Sequence, residues 1–410
     1  MKKEYLKSRF LALVLTIAAL TVGQSVWAQS PTTWAELQEQ LTNASTDANN
    51  PTVITLGCDI VAESTDSYLN IPAGHHVIID LNGHKIDRNL TEPTDDGHVF
   101  YVRGGTDDKT PSSLTICDTQ GGGTITGGYA SGFNGGGAFF VTHKSTLTFE
   151  GGTITGNKSA QYGGGAITAT NRSTVRMTGG SITGNVGNTL NNDVYYAAGA
   201  VCLKEQSHFH FSGGSITDNL CGGHTGDTYG KDDCGGIGFD SEHDYVNRVH
   251  LSGTYTLSGN LVGSYSNGTL TNSIASDYLH TQKNVIVIED AISPTAPAVI
   301  TVSDKSTTQV LTSGWSNYMT TEPTICFTLG SFYNTDGKVI GLRDGNLVID
   351  TPLAALWHAD DDHDGTTADR AYIISTPKGL DLLASQVNGT DGYTANGFNN
   401  TYFKLGNDIT

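Results

Sequence analysis

Short bursts of alternating apolar and polar side chains recur down the middle of this chain. Leu147 and Phe149 alternate with Thr146, Thr148 and Glu150; Val175 and Met177 follow Ser173 on the same spacing, and Phe209 and Phe211 follow Ser207. A period of two predicts a strand with one buried face. Each burst leads into one phrase, Gly-Gly-x-Ile-Thr-x-Asn, at residues 151–157, 179–185 and 213–219, with partial copies at 122–127 and 253–260. Ahead of the bursts stand glycine-rich entries: Gly135-Gly136-Gly137-Ala138, Gly163-Gly164-Gly165-Ala166, Ala198-Gly199-Ala200 and Gly235-Gly236-Ile237-Gly238. The isoleucines of the phrase (Ile125, Ile154, Ile182, Ile216) are 29, 28 and 34 residues apart, and Leu257 follows 41 later. A unit repeated at such a period buries its apolar face by stacking on its own copies.

Three strands of about three to five residues per unit, joined by glycine corners, predict an all-β fold, a parallel β-helix or solenoid. No 3.6-residue period appears in these repeats, which excludes helical and leucine-rich solenoids. In such a stack Ile125, Ile154, Ile182, Ile216 and Leu257 form one interior column. Asn157, Asn185, Asn219 and Asn260 recur at one corner, where their amides are expected to hydrogen-bond from coil to coil as a ladder.

The ends read differently. Trp34, Leu37 and Leu41 fall at i, i+3 and i+7, which predicts an N-terminal capping helix over residues 33–41. The capped helix is expected over 29–284. From 285 to 352 the glycine phrase disappears, and strands such as 285–288, 299–302 and 347–349 finish the stack or form a small β cap. From 353 the pattern begins again: residues 376–384 predict a second cap helix, and Leu405-Gly406-Asn407-Asp408-Ile409-Thr410 echoes Leu56-Gly57-Cys58-Asp59-Ile60-Val61. A truncated second module is expected at 353–410. Residues 1–28 read as a secretory signal peptide, with Lys2, Lys3, Lys7 and Arg9 before an apolar run and small Val26 and Ala28 before the cut. That run is shorter than the about 20 apolar residues of a membrane span.

Composition supports export and narrows the partners. The formal charge is −19; the leader carries four basic residues and one acidic, so its removal leaves −22. Such a surface repels nucleic acid and anionic lipid. Glycine, at 51 of 410 residues, exceeds the usual ~7%, as tight corners require. Six cysteines in an exported chain permit disulfides, and Cys221 and Cys234 bracket one insertion that they could staple; buried free thiols are the equal alternative. None has paired zinc-site spacing.

With the Trp34-Ala35-Glu36-Leu37 entry and the Asp80-Leu81-Asn82-Gly83-His84-Lys85-Ile86 phrase in place, the chain resembles right-handed parallel β-helix surface proteins of bacteria, within the pectin-lyase-like group. Gly164-Gly165-Ala166-Ile167 is similar to the repeat of polymorphic outer-membrane proteins and related adhesins; Ile-Thr-Gly-Asn stands where those carry Phe-x-x-Asn. The segment 380–409 looks like the opening repeat of modules in large secreted surface proteins. The resemblance implies a location outside the cell or on the outer face of the envelope. It further implies an adhesin or glycan-binding scaffold that contacts glycans or host-surface molecules. The same fold hosts polysaccharide lyases, glycoside hydrolases and plain stalks.

Insertions fall at one place in the repeat, between the Asn corner and the next glycine entry, so in a stack they share one side. They carry Tyr129, Phe133, Tyr162, Tyr195, Tyr196 and Tyr229, with His224 and Asp227 in the longest. Aromatic faces beside polar groups suit sugar rings; the alternative is that they cover the glycine-rich wall. Asp232, Asp233, Asp240, Glu242 and Asp244, with Lys231 and Arg248, include pairs able to serve as acid and base, or simply solvated loop charge; no catalytic residue is assigned. Asp360, Asp362, Asp364 and Gly365 match the start of a calcium loop, but position twelve is Ala371, so Ca²⁺ and a solvated acidic turn are both open. No other cofactor is expected.

Overall fold

The computed structural model describes residues 30–409 except 107–108, 133–134, 192–195, 224–232, 241–244, 282, 303–309, 321–322, 331–337, 351–356, 358–361, 391–394 and 407–408. Residues 1–28, read from the sequence as a signal peptide, lie outside the described residues.

The chain enters through the helix Trp34–Thr42, one residue off the expected span. Thr33 caps it by accepting from the Glu36 N–H, and Glu36 in turn takes the Thr32 N–H at 2.8 Å. Trp34, Leu37 and Leu41 are buried, and the Trp34 indole donates to the Ser67 carbonyl at 2.9 Å. The apolar stripe therefore closes the end of the sheets, as its spacing requires.

Among the described residues the strands form long parallel sheets, the largest of fourteen and nine strands. Each repeat pairs with the next in register. Ile60, Ile86, Ile125, Ile154, Ile182, Ile216 and Leu257 follow one another as direct partners. Leu69, Phe100, Phe139, Ile167, Val201, Ile237, Tyr278 and Ile300 do the same in the nine-stranded sheet. Every residue in these two columns is at most 2% exposed, and burying each aliphatic side chain contributes about 1.5–3 kcal/mol. Parallel pairing fixes the register, because a slip of one residue would turn each column to solvent. In two repeats the glycine corner is drawn out into strand: His208–Thr217 runs through Gly213-Gly214, with Gly214 at φ +91°, and Arg248–Ser258 runs through Gly253, at φ +68°.

A row of buried amides runs beside the isoleucines. Gly128 N–H donates to Asn157 Oδ1 at 3.1 Å. Asn157 Nδ2 then donates to Asn185 Oδ1 at 3.0 Å, Asn185 to Asn219 at 3.0 Å, and Asn219 to Asn260 at 2.9 Å. The last amide donates to Asp277 Oδ1 at 2.8 Å. All five side chains are fully buried, so each amide meets protein where it cannot meet water.

The glycine entries form a second row with a different cause. A Cβ on Gly137 would sit 2.5 Å from the Gly165 carbonyl oxygen; on Gly165, 2.4 Å from that of Gly199; on Gly199, 2.2 Å from that of Gly235. None of these glycines has a positive φ. Close backbone approach, not a left-handed turn, demands them.

Beyond residue 260 the order loosens. Leu261–Ser266 and Thr269–Ala275 form an antiparallel hairpin, an excursion the repeat pattern did not announce. Ile286–Ile292, Ala298–Val302 and Phe327–Leu329 extend the parallel sheets, and Val339–Arg343 with Asn346–Asp350 makes a second hairpin. In the tail, Tyr372–Ile374 pairs in parallel with Phe403–Leu405. The helix Pro377–Asn388 is capped by Thr376 and stopped by Gly389 at φ 66°. Among the described residues no helix is long and apolar enough to cross a membrane.

Candidate functional site, an open aromatic groove

The outer face of the nine-stranded sheet is covered at one end and open at the other. Leu69–Ile71 and Phe100–Arg103 pair in parallel, burying Leu69, Ile71, Phe100 and Val102 and turning Asn70, Tyr101 and Arg103 outward. Further along, the equivalent outward positions are Phe140, Thr168 and Cys202. These are 6%, 0% and 0% exposed, and Tyr196 with Tyr162 roofs the face at Cys202. Where the roof stops, a groove of about 710 Å³ opens, lined by Gln38, Tyr68, Asn70, Tyr101, Arg103 and Thr106 among others. Gln38 holds its wall like an extra strand: its amide donates to the Asn70 carbonyl at 3.1 Å and accepts the Asn70 N–H at 2.7 Å.

Rings build the floor. Tyr68 meets Tyr101 edge-on at 5.2 Å and 89°, and Tyr101 stacks on Phe140 at 5.3 Å. Burial raises the pKa of both tyrosines, Tyr68 further through nearby Asp96, so both hydroxyls keep their protons near neutral pH. Arg103 is exposed and makes no ion pair with the described residues.

Behind Phe140 lies His98, stacked on it at 5.2 Å and 15°. Its Nδ1–H donates to the Gly136 carbonyl at 2.8 Å. Burial drives its pKa down to about 4, only partly offset by that carbonyl. An unfolded imidazole takes its proton near pH 6.5. The neutral buried ring therefore contributes stability that is whole above pH 6.5 and lost as pH falls towards 4, about 3 kcal/mol by linkage. Urea denaturation at pH 7 and pH 4 is expected to show wild type losing about that much more than His98→Gln; equal losses would remove His98 from the acid response.

Those residues singled out from sequence that the structure describes lie elsewhere. Tyr162 packs against Tyr196 at 5.2 Å, and the Lys204 ammonium sits 4.3 Å over the Tyr196 ring. Tyr196 is only 4% exposed and joins Ala198 and Cys202 in a small cluster, so these rings form part of the roof. Tyr195, Tyr229, His224, Asp227 and Asp360 lie outside the described residues. Asp364 accepts from the Thr366 N–H and hydroxyl at 3.0 and 2.6 Å and pairs with Arg370 at 2.6 Å. Those bonds, Thr366 first, hold its pKa down to about 2. The nearby Asp362 lies in a turn. The Cys221–Cys234 bridge is not formed: all six cysteines are free. The Cys221 thiol points at the Gly222 carbonyl at 3.7 Å and the Cys234 thiol at the Ser276 carbonyl at 3.3 Å. Burial pushes the Cys234 thiol up to about 12 and raises Cys221 well above its ordinary value, which keeps both protonated and unreactive.

Tyr68, Tyr101 and Arg103 were not among the residues marked from sequence. Their one local signal is Tyr101-Val102-Arg103, two large outward side chains around an inward valine.

No protein-family model matches the chain, and no match is found among curated proteins or solved structures.

Proposed function

We propose that the chain is a right-handed parallel β-helix of the pectin-lyase-like type, exported to the bacterial surface, and that its groove binds glycans without cleaving them. The observation that carries this is the Tyr68–Tyr101 ring pair flanking exposed Arg103 in an open groove. Sugar C–H faces pack on aromatic rings, and a guanidinium takes a carboxylate through two parallel hydrogen bonds. One arginine in a chain this acidic suits an oligosaccharide with an isolated carboxylated sugar rather than a polyanion. The described lining residues include no carboxylate, whereas glycoside hydrolysis uses a pair of them; this favours binding over turnover. The parallel, in-register stacking and the capping helix support the β-helix reading.

A glycan array probed with the purified protein is expected to give hits rich in uronic or sialic acid. Tyr101→Ala and Arg103→Gln are each expected to weaken binding at least about tenfold, which is about 1.4 kcal/mol. An empty array, or hits unchanged in both variants, sinks the reading, and steady release of sugar products would replace it with catalysis.

A further inference from the structure

On the outer face of the fourteen-stranded sheet, far along the stack from the cap helix, a histidine pair faces solvent. His210 and His250 occupy equal register positions on the adjacent strands His208–Thr217 and Arg248–Ser258. Their rings stack at 4.2 Å and 11°. The third member comes from an irregularity. Pairing between Arg248–Ser258 and Ile286–Ile292 slips between Leu251 and Gly253, and such a slip re-aims a side chain. Glu289, in the slipped stretch, sets one carboxylate oxygen 3.2 Å from His210 Nδ1 and the other 2.8 Å from His250 Nδ1. One candidate donor atom from each of the three residues lies within 4.8 Å of the other two.

We infer that His210, His250 and Glu289 form a binding site for a divalent transition metal of the zinc, nickel or copper class. Imidazole and carboxylate donors suit these ions. Two donor atoms each about 2.1 Å from one tetrahedral ion stand about 3.4 Å apart, so the 3.2 and 2.8 Å contacts found here, each to a different carboxylate oxygen, open by a few tenths of an ångström to admit one. His250 is poised by a second contact: its Nε2 lies 2.9 Å from His208 Nδ1. With Nε2–H donating to His208, the lone pair of His250 Nδ1 is left to face the carboxylate. That Nδ1 faces the Glu289 carboxylate oxygen at 2.8 Å, a contact that a shared cation fills as well as a proton does. Metal-binding histidines are commonly held in this way through their other ring nitrogen. Three protein ligands leave positions for water or an outside ligand. Arg176, exposed on the next strand at the level of His210, is the opposing charge and limits the affinity.

Calorimetric titration of the full, chelator-stripped chain with zinc chloride and with nickel chloride at pH 7.5 tests the site. One ion per chain is expected. His250→Ala and Glu289→Gln should weaken binding at least tenfold. His208→Ala should weaken it about tenfold through loss of the orienting contact, while Asp364→Asn leaves it unchanged. Cobalt should give d–d bands without thiolate charge transfer. Glu289 is well exposed, so its variant folds even where the histidine variants do not. Absence of binding, or binding unchanged in Glu289→Gln and His208→Ala, overturns the site, as does a thiolate spectrum.

Discussion

Asn185→Leu is expected to cost about 3–5 kcal/mol, because it breaks the amide row in the middle. The Asn185 side-chain oxygen accepts both the Asn157 N–H, at 3.1 Å, and the Asn157 amide, at 3.0 Å. Its own amide reaches the carbonyls of Ile154 and Thr183 as well as Asn219. Leucine supplies none of these, and a buried donor left unpaired costs about 1–3 kcal/mol. Leucine is almost isosteric, so the loss is polar and not a cavity. Urea denaturation should show the lower midpoint with far less effect from Thr183→Val on the outer surface of the same repeat. An unshifted midpoint for Asn185→Leu would mean that the amides contribute nothing.

Gly199→Ala is expected to be worse. One methyl group there would lie 2.2 Å from the Gly235 carbonyl oxygen and 2.7 Å from that of Leu220, both backbone atoms. Neither can move without parting two repeats, so we expect a loss above about 4 kcal/mol, the range reserved for core disruption, read as insoluble protein or collapse of the thermal transition. Gly397→Ala, whose new methyl meets only Asn399 side-chain atoms at 3.8 Å or more, is the neutral control. A folded Gly199→Ala chain with an ordinary melting temperature would show that the adjacent repeats do not approach each other there as closely as described.

What the sequence revealed and what it hid follow one rule. Ile154, Ile182 and Ile216 are direct partners, and Asn157, Asn185 and Asn219 bond in order, because each sits at a fixed offset inside a repeated phrase. Equal offsets become equal heights in a stack. The groove had no such key. Asn70 and Tyr101 are neighbours across strands in repeats of irregular length that share no phrase, so only the pairing itself reveals them. Glu289 was hidden as well, since its place beside His250 follows only from the pairing of two strands that share no repeated phrase. Of the insertion tyrosines, Tyr162 and Tyr196 pack over Cys202 and hide the outer face there, while Tyr195 and Tyr229 lie outside the described residues.

The amide row also has a direction. Every link runs donor to acceptor the same way, and it ends on Asp277, whose two oxygens take the Asn260 N–H, the Asn260 amide and the Val299 N–H. Burial raises the pKa of that carboxyl, while the three incoming N–H groups pull it back. A carboxylate can receive but cannot pass the chain on. Asp277 is thus a full stop written into the molecule: further 28-residue units could be spliced in ahead of it, each handing its hydrogen to the next, but none could follow it on the same thread.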